Sequence, residues 1–368
     1  MSHPMVVVIS STAFIIYFIF RYDCVNLFSG IFLCKTMKTV FLSYTRHIHH
    51  VHRSFAQEIG AAIKIMPFTG YIKLITKYPF LNCFFPLMSY LYALVSHIDA
   101  DILISDGGSC LYAASMLKLK YPRLIVIHLD GDLFFYSLGK TRFTTAGFAL
   151  KKIDAVLSVS EQNRKQVRRF LDVPAVVCPP YPQAVAKRNI PRRKYGLYVG
   201  RLSPEKNIAR LIAFGLQCPH IEKFVLVGDG VLDKYVENKA RKYDKIIYAG
   251  PQRDVGRYYS ECTFLLHLPD IDAHPVTCME AALCGCYPVL SAGVGARYLF
   301  DSLFIAENPD DFTHINEKMA WILDNPLAAD ESLEKSLQFI PDRITSLENF
   351  RKAFELLLKQ IAERPQAL

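Results

Sequence analysis

The sequence predicts an α/β protein made of two doubly wound, Rossmann-like domains that face each other across a cleft. Short apolar runs alternate with helical stretches from Lys38 onward, the pattern of a parallel sheet covered by helices. The run Val176-Val177-Cys178-Pro179-Pro180-Tyr181-Pro182 breaks that alternation with three prolines in four residues, which neither a helix nor a central strand accommodates. The alternation then restarts at Tyr195. A length of 368 residues suits two ordinary domains. With 51% hydrophobic and 21% charged residues, the chain can fill both cores and is not of the disordered class.

The first 36 residues stand apart from this plan. Met5 to Phe20 is a 16-residue run without charge, followed by Arg21 and a second apolar stretch, Leu27 to Cys34. A spanning helix needs about 20 residues, and no basic segment precedes the run as in a signal peptide. Two readings stay open for residues 1–36: a membrane anchor, or an extension ahead of a domain that starts at Met37. If the run spans, Arg21, Lys35 and Lys38 favour keeping the body in the cytoplasm.

In the first domain, 37–185, strands are expected at Thr39–Tyr44, Asp101–Ser105, Leu124–Leu129 and Ala155–Ser160, then a basic helix from Glu161 to Phe170. The linker runs through the proline-rich break and the basic stretch Lys187–Lys194. In the second domain, 186–344, strands are expected at Tyr195–Val199, Phe224–Val227, Lys245–Tyr248, Thr263–Leu268 and Tyr287–Leu290. A last helix, within 345–368, is marked by Thr345 and Glu348 as a capping box and by Leu347, Phe350, Phe354, Leu358 and Ile361 on one face.

The formal charge of +9 favours anionic partners, and nucleotides, acidic membrane surfaces and nucleic acid all qualify. No interleaved basic and aromatic recognition motif supports nucleic acid. The ten cysteines show no C-x-x-C pair, so neither a zinc site nor a disulfide framework is expected, and a reduced, cytoplasmic chain is the simplest reading.

Two constellations carry chemistry. Gly200-Arg201-Leu202-Ser203-Pro204-Glu205-Lys206-Asn207 follows a strand, with Ser203 as N-cap and Pro204 as first helical residue. Arg201 and Lys206 bring two cations to a helix start, where free N–H groups already favour an anion such as a diphosphate. Asp272 and Glu280 bracket Ala273-His274-Pro275-Val276-Thr277-Cys278-Met279, one on a loop and one inside a helix. A glutamate in a helix otherwise built of Val, Cys, Met, Ala and Leu needs a partner, either an arginine elsewhere or the hydroxyls of a bound ribose.

These pieces, in this order, resemble the GT-B glycosyltransferases of family 4, the retaining group related to glycogen synthase and bacterial mannosyltransferases. The resemblance rests on Tyr198-Val199-Gly200-Arg201-Leu202 with Glu205-Lys206-Asn207, then Val227-Gly228-Asp229-Gly230, Tyr248-Ala249-Gly250, and Asp272-x7-Glu280 with Ala281-Ala282-Leu283-Cys284-Gly285. It extends into the first half through Ile153 to Glu161. It implies a UDP- or GDP-sugar donor, no cofactor, no metal, and a glycan or lipid-linked acceptor. Arg201 and Lys206 would bind the diphosphate behind Gly200 and stabilise the departing charge without a metal. Glu280 would hold the ribose and Asp272 the transferred sugar; the backbone at Val276 and Thr277 would approach the phosphates, and Arg253 would flank the base. Asp272 stands where the family usually has glutamate, and His274 where it commonly has an aromatic residue. The last helix would cross back onto the first domain.

On the acceptor side, Ile127-His128-Leu129-Asp130-Gly131-Asp132 follows a strand, and His128 and Asp130 are the expected site-lining residues. Ser105-Asp106-Gly107-Gly108-Ser109 also ends a strand, read equally as a ligand approach or a plain turn. His47, His49, His50 and His52 crowd the first strand-to-helix loop without the spacing of a zinc motif. The charge-free stretch Tyr78–Val95 suggests a core helix; with the basic runs, a peripheral contact at the inner face of the cell membrane is the second reading. An inactive GT-B protein serving as a binding or assembly subunit is the alternative to an enzyme.

Overall fold

The computed structural model describes residues 37–44, 48–66, 85–138, 147 and 149–364. The 1–36 extension, His47 and the first part of the Tyr78–Val95 stretch lie outside the described residues.

In the first domain the elements run β1 (Thr39–Ser43), α1 (His50–Glu58), β2 (Ala62–Ile65), α2 (Phe85–Val95), β3 (Ile102–Asp106), α3 (Gly108–Lys120), β4 (Ile125–Asp130), α4 (Phe134–Leu138), β5 (Ala155–Ser158), α5 (Glu161–Val167) and β6 (Ala175–Val177). Its six strands are parallel in the order β2-β1-β3-β4-β5-β6. In the second domain follow β7 (Arg193–Val199), a 3₁₀ turn (Pro204–Lys206), α6 (Ile208–Gln217), β8 (Lys223–Val227), α7 (Asp233–Lys242), β9 (Ile246–Gly250), α8 (Gly256–Glu261), β10 (Cys262–His267), α9 (Val276–Leu283), β11 (Tyr287–Ser291) and β12 (Ile305–Ala306). This sheet is also parallel, in the order β12-β11-β10-β7-β8-β9. Helices α10 (Phe312–Asp324), α11 (Pro326–Leu337) and α12 (Arg343–Ala362) close the chain.

The central strands form because both of their faces are covered. Phe41 points into the core under α1 and α12, whereas Val40 and Leu42 point into the core under α3, the two-residue period of a pleated strand. Each sheet reverses its winding once, between β1 and β3 in the first and between β7 and β10 in the second. Ligands of doubly wound sheets bind outside the carboxyl ends of the strands at such reversals.

Helix α12 returns to the first domain, where Phe350 stacks on Phe55 at 4.1 Å and 5°, and Phe354 and Leu357 are buried beside it. Its cap is Asp342 rather than a Thr345/Glu348 box. Asp342 accepts from the Thr345 backbone N–H at 2.9 Å and from the Thr345 hydroxyl at 2.8 Å, so the helix starts earlier than the box implied. Val176 and Val177 are not linker but part of edge strand β6, which pairs with β5 before the prolines end it. Helix α5 stops at Val167, short of Phe170. Helix α2 is only half core: Ser89, Tyr92 and Ala93 are buried, whereas Leu87, Leu91, Leu94 and Val95 are exposed. Among the described residues no helix is long and apolar enough to cross a membrane.

Phe350→Ala removes one ring of the stack and is expected to cost about 3–5 kcal/mol. The check is urea denaturation, in which the unfolding midpoint falls for Phe350→Ala and stays put for the solvent-facing Lys352→Ala.

Candidate active site

The second-domain half of the site forms where β7 and β10 lie side by side. After β7 the chain turns at Gly200, whose N–H donates to the Val227 carbonyl at 3.0 Å. Gly228, after β8, has φ +134°, and a Cβ there would sit 1.9 Å from the Gly200 carbonyl oxygen. The two loops therefore touch only because position 228 is glycine. Ser203 does not cap an α-helix: its hydroxyl donates to Glu205 at 2.6 Å, and Pro204–Lys206 forms a 3₁₀ turn. Asn207, left-handed at φ 51°, then redirects the chain into α6.

That turn delivers Lys206 to Asp272. The Lys206 ammonium donates to Asp272 Oδ2 at 2.5 Å, and His267 Nε2, at the end of β10, donates to the same oxygen at 2.7 Å. An ionised carboxylate only accepts, so the His267 proton sits on Nε2. The Asp272 side chain is 8% exposed. Burial alone would raise its pKa; the hydrogen bonds and charges of His267 and Lys206 overcome that and hold the carboxyl well below the usual range. Both partners occupy Oδ2, which leaves Oδ1 as the oxygen open to a ligand. His267 in turn lies parallel to the Tyr198 ring at 6.0 Å and 3°.

Glu280, on α9, finds neither arginine nor solvent. Its Oε1 accepts the Gln183 backbone N–H at 3.2 Å, and its Oε2 accepts the Tyr259 hydroxyl at 3.0 Å. Burial pushes its pKa up, and those two hydrogen bonds pull against that rise. Val276 and Thr277 form the first turn of α9, after Pro275 as N-cap, so their N–H groups have no partner within the helix. Arg201 is exposed, and its guanidinium has no partner among the described residues. Arg253, also exposed in the loop after β9, makes no contact with the Lys206–Asp272 pair or with Glu280. His274 is buried, edge-on to Tyr298, with its pKa pushed down to about 4 by burial.

The first-domain half forms where β1 and β3 lie side by side. Asp106, the last residue of β3, accepts from the Ser43 hydroxyl at 3.0 Å and pairs with His52 Nδ1 at 2.8 Å. His128 and Asp130 stand on the last turn of β4 with both side chains enclosed. His128 Nδ1 meets the Ser105 hydroxyl at 2.9 Å between Phe134 and Phe135, and burial pushes its pKa down to about 4. Burial raises the Asp130 carboxyl well above its ordinary value, with the nearby Asp132 charge adding to the rise. The two halves meet where Gln162 donates to the Gly293 carbonyl at 3.0 Å, and the Arg201 charge is felt at Tyr44, directly after β1. Among the described residues no group of three or more His, Cys, Asp or Glu side chains is arranged to hold a metal ion.

Residues 182–339 match the family model described as Glycosyl transferases group 1. The second domain is a group 1 glycosyltransferase domain. Solved structures agree on the fold. Anabaena Alr3699/HepE in complex with UDP-glucose superposes with a TM-score of 0.68 at 14% identity over 88% of this chain and 99% of that one. Sucrose-phosphate synthase from Thermosynechococcus elongatus gives 0.70 at 16% identity, with the same coverage. The lipopolysaccharide outer core galactosyltransferase WaaB gives 0.58 at 18% identity over 86% of this chain and 99% of that one. All three share the GT-B arrangement of two facing α/β domains. No curated protein is significantly similar in sequence.

Within the glycosyltransferase domain, motif reading located Lys206, Asp272 and Glu280 but missed His267, Tyr259 and Gln183, which hold the two carboxylates. The available signal was a histidine ending an apolar strand five residues before Asp272. A carboxyl whose folded pKa is depressed adds stability above its unfolded value of about 3.9 and loses it as pH falls toward the folded value. Lys206→Met removes one cause of the depression. Its melting temperature should therefore fall less steeply than that of the wild type between about pH 5 and 3, as calorimetry at stepped pH would show.

Proposed function

We propose that the protein transfers a sugar from a UDP- or GDP-sugar to a glycan or lipid-linked acceptor, with retention of anomeric configuration and without a metal. The observation that carries this reading is the Lys206–Asp272–His267 cluster at the β7/β10 reversal, beside an unpaired Arg201 and the open first turn of α9. Breaking the bond between the sugar and the diphosphate leaves negative charge on the nucleotide. Fixed cations at Arg201 and Lys206, with the N–H groups of Val276 and Thr277, suit that charge because they need no reorganisation as it develops. Lys206 keeps two N–H bonds beyond the one it gives Asp272. Asp272 presents Oδ1 to a hydroxyl of the sugar, and the shorter reach of aspartate is offset by the two groups that hold Oδ2.

Glu280 retains lone pairs beyond its bonds to Gln183 and Tyr259, enough for the paired hydroxyls of a ribose. Arg253 flanks the base, and His128 and Asp130 belong to the acceptor wall of the cleft. The solved structure of Alr3699/HepE with UDP-glucose supports the donor class, and TarM in complex with alpha-GlcNAc-glycerol and UDP supports a glycosylated product in the same fold. The exposed Leu87, Leu91, Leu94 and Val95 of α2, with Lys120 bonded to the Leu94 carbonyl, suit a peripheral position at the inner face of the cell membrane.

Calorimetric titration with UDP-glucose and GDP-mannose tests the donor site. One of the two should bind the wild type, and Lys206→Ala should weaken that binding by about 10- to 100-fold through loss of a charged hydrogen bond. Absence of binding by both sugars to folded wild-type protein would sink the reading.

A further inference from the structure

The second reversal point carries a histidine that the donor chemistry does not use. Asp106 is 7% exposed, and its two oxygens are divided between Ser43 on Oδ2 and His52 on Oδ1. Burial opposes ionisation there, but the His52 charge and hydrogen bond, with that of Ser43, hold the carboxyl below its usual range. A carboxylate accepts and does not donate, so the His52 proton sits on Nδ1 and the Nε2 lone pair is free. No hydrogen bond to Nε2 exists among the described residues, and the His52 side chain is 15% exposed.

Position 131 shows that the ring's place is built. A Cβ on Gly131 would lie 2.9 Å from His52 Cε1 and 3.0 Å from Nε2, so any other residue there would displace the imidazole. The other titratable groups near His52 are His49 and His50 on its own segment; the His49 ring centroid is 5.6 Å away. Burial, then His52 and His50, push His49 down to about 3, so it stays neutral and adds no competing charge at neutral pH. Asp132, beyond Gly131, is already engaged by the backbone N–H groups of Gly108 and Phe134 at 2.9 and 3.0 Å.

We propose that His52 is a catalytic residue that takes the proton of the attacking acceptor hydroxyl, with Asp106 as its positioning residue. This rests on the glycosyl transfer proposed above. The acceptor oxygen bonds to the anomeric carbon, and the bond from that carbon to the diphosphate oxygen breaks with its electron pair leaving on the nucleotide. The hydroxyl proton passes to His52 Nε2, and Asp106 stabilises the imidazolium until solvent takes the proton. Placement supports the assignment: the carboxyl ends of β1 and β3 are the first sheet's reversal point, and Tyr44 beside them feels both Asp106 and Arg201.

The test has one arm that needs turnover and one that does not. Nucleotide release from UDP-glucose and GDP-mannose is followed across pH, with water and with octyl glucoside and octyl galactoside as acceptor probes. Wild type should slow on the acid side, and His52→Gln should lose about 10²- to 10⁴-fold in rate together with that acid limb. Its donor affinity, by titration, should stay within about twofold. Asp106→Asn should lower the rate without changing donor affinity. A His52→Gln protein that keeps both rate and acid limb overturns the proposal, whereas failure of the wild type to bind any donor overturns the transferase reading itself. Independently of turnover, ¹⁵N imidazole spectra should show His52 with a protonated Nδ1 and a bare Nε2 at neutral pH. The opposite tautomer excludes the proton-acceptor role.

Discussion

A carboxylate at the end of a buried parallel strand has to be matched by donors, and the candidate donor site is organised around that constraint. Asp272 sits in a loop fixed on both sides by backbone, its N–H on the Gly293 carbonyl and its own carbonyl receiving the Gly295 N–H. Its charge is met by Lys206 from the turn after β7 and by His267 from the end of β10. Those two strands are neighbours only because the winding of the sheet reverses between them. Topology thus brings a lysine and an aspartate 66 residues apart to 2.5 Å. Removing either partner leaves a poorly compensated buried charge, which is why the cluster behaves as one unit rather than as separate contacts.

The same rule explains the other wall of the cleft. In the first sheet the reversal lies between β1 and β3, and there too a strand-terminal carboxylate, Asp106, is matched by a hydroxyl and an imidazole. The two walls differ in net charge. The second domain offers Arg201 and Lys206 toward the cleft, whereas the first offers an imidazole held by a carboxylate. An anionic donor is therefore drawn to one side, and a neutral hydroxyl finds its hydrogen-bond acceptor on the other.

Much of the architecture was readable in the sequence because buried parallel strands are continuous apolar runs: β3, β4, β5, β8 and β10 fall within a residue or two of the expected positions. The strands that escaped are edges. Ala62–Ile65 carries Lys64 and is largely exposed, Ala175–Val177 abuts prolines, and Ile305–Ala306 has two residues. Each lacks the length or the apolar pattern that marks a strand. The donor motifs gave Arg201, Lys206, Asp272 and Glu280, but spacing along the chain carries no information on which cation meets which carboxylate. Position at a strand end also does not say which way a side chain points. His128 and Asp130 alternate with Ile127 and Leu129 on β4, and the pleat sends them under α4 and α5, whereas Asp106 on β3 meets His52.

Glu280 shows how the donor domain and the linker are built as one piece. Its helix, α9, belongs to the second sheet, yet one of its oxygens receives the backbone N–H of Gln183, directly after the prolines that separate the domains. The other receives Tyr259 from α8, so the carboxylate ties the linker to two helices of the donor domain. Nearby, Gly256 admits Val185 and Ala186 so closely that a Cβ would come within 2.8 Å of the valine side chain. The linker therefore does not hang free between the domains. It is part of the second domain's surface, held by the carboxylate placed nearest the ribose, and the first domain is carried relative to that fixed strap. A group that binds Glu280 meets the strap at the same point, so occupancy of the donor site and the setting of the linker depend on a single hydrogen-bonded carboxylate.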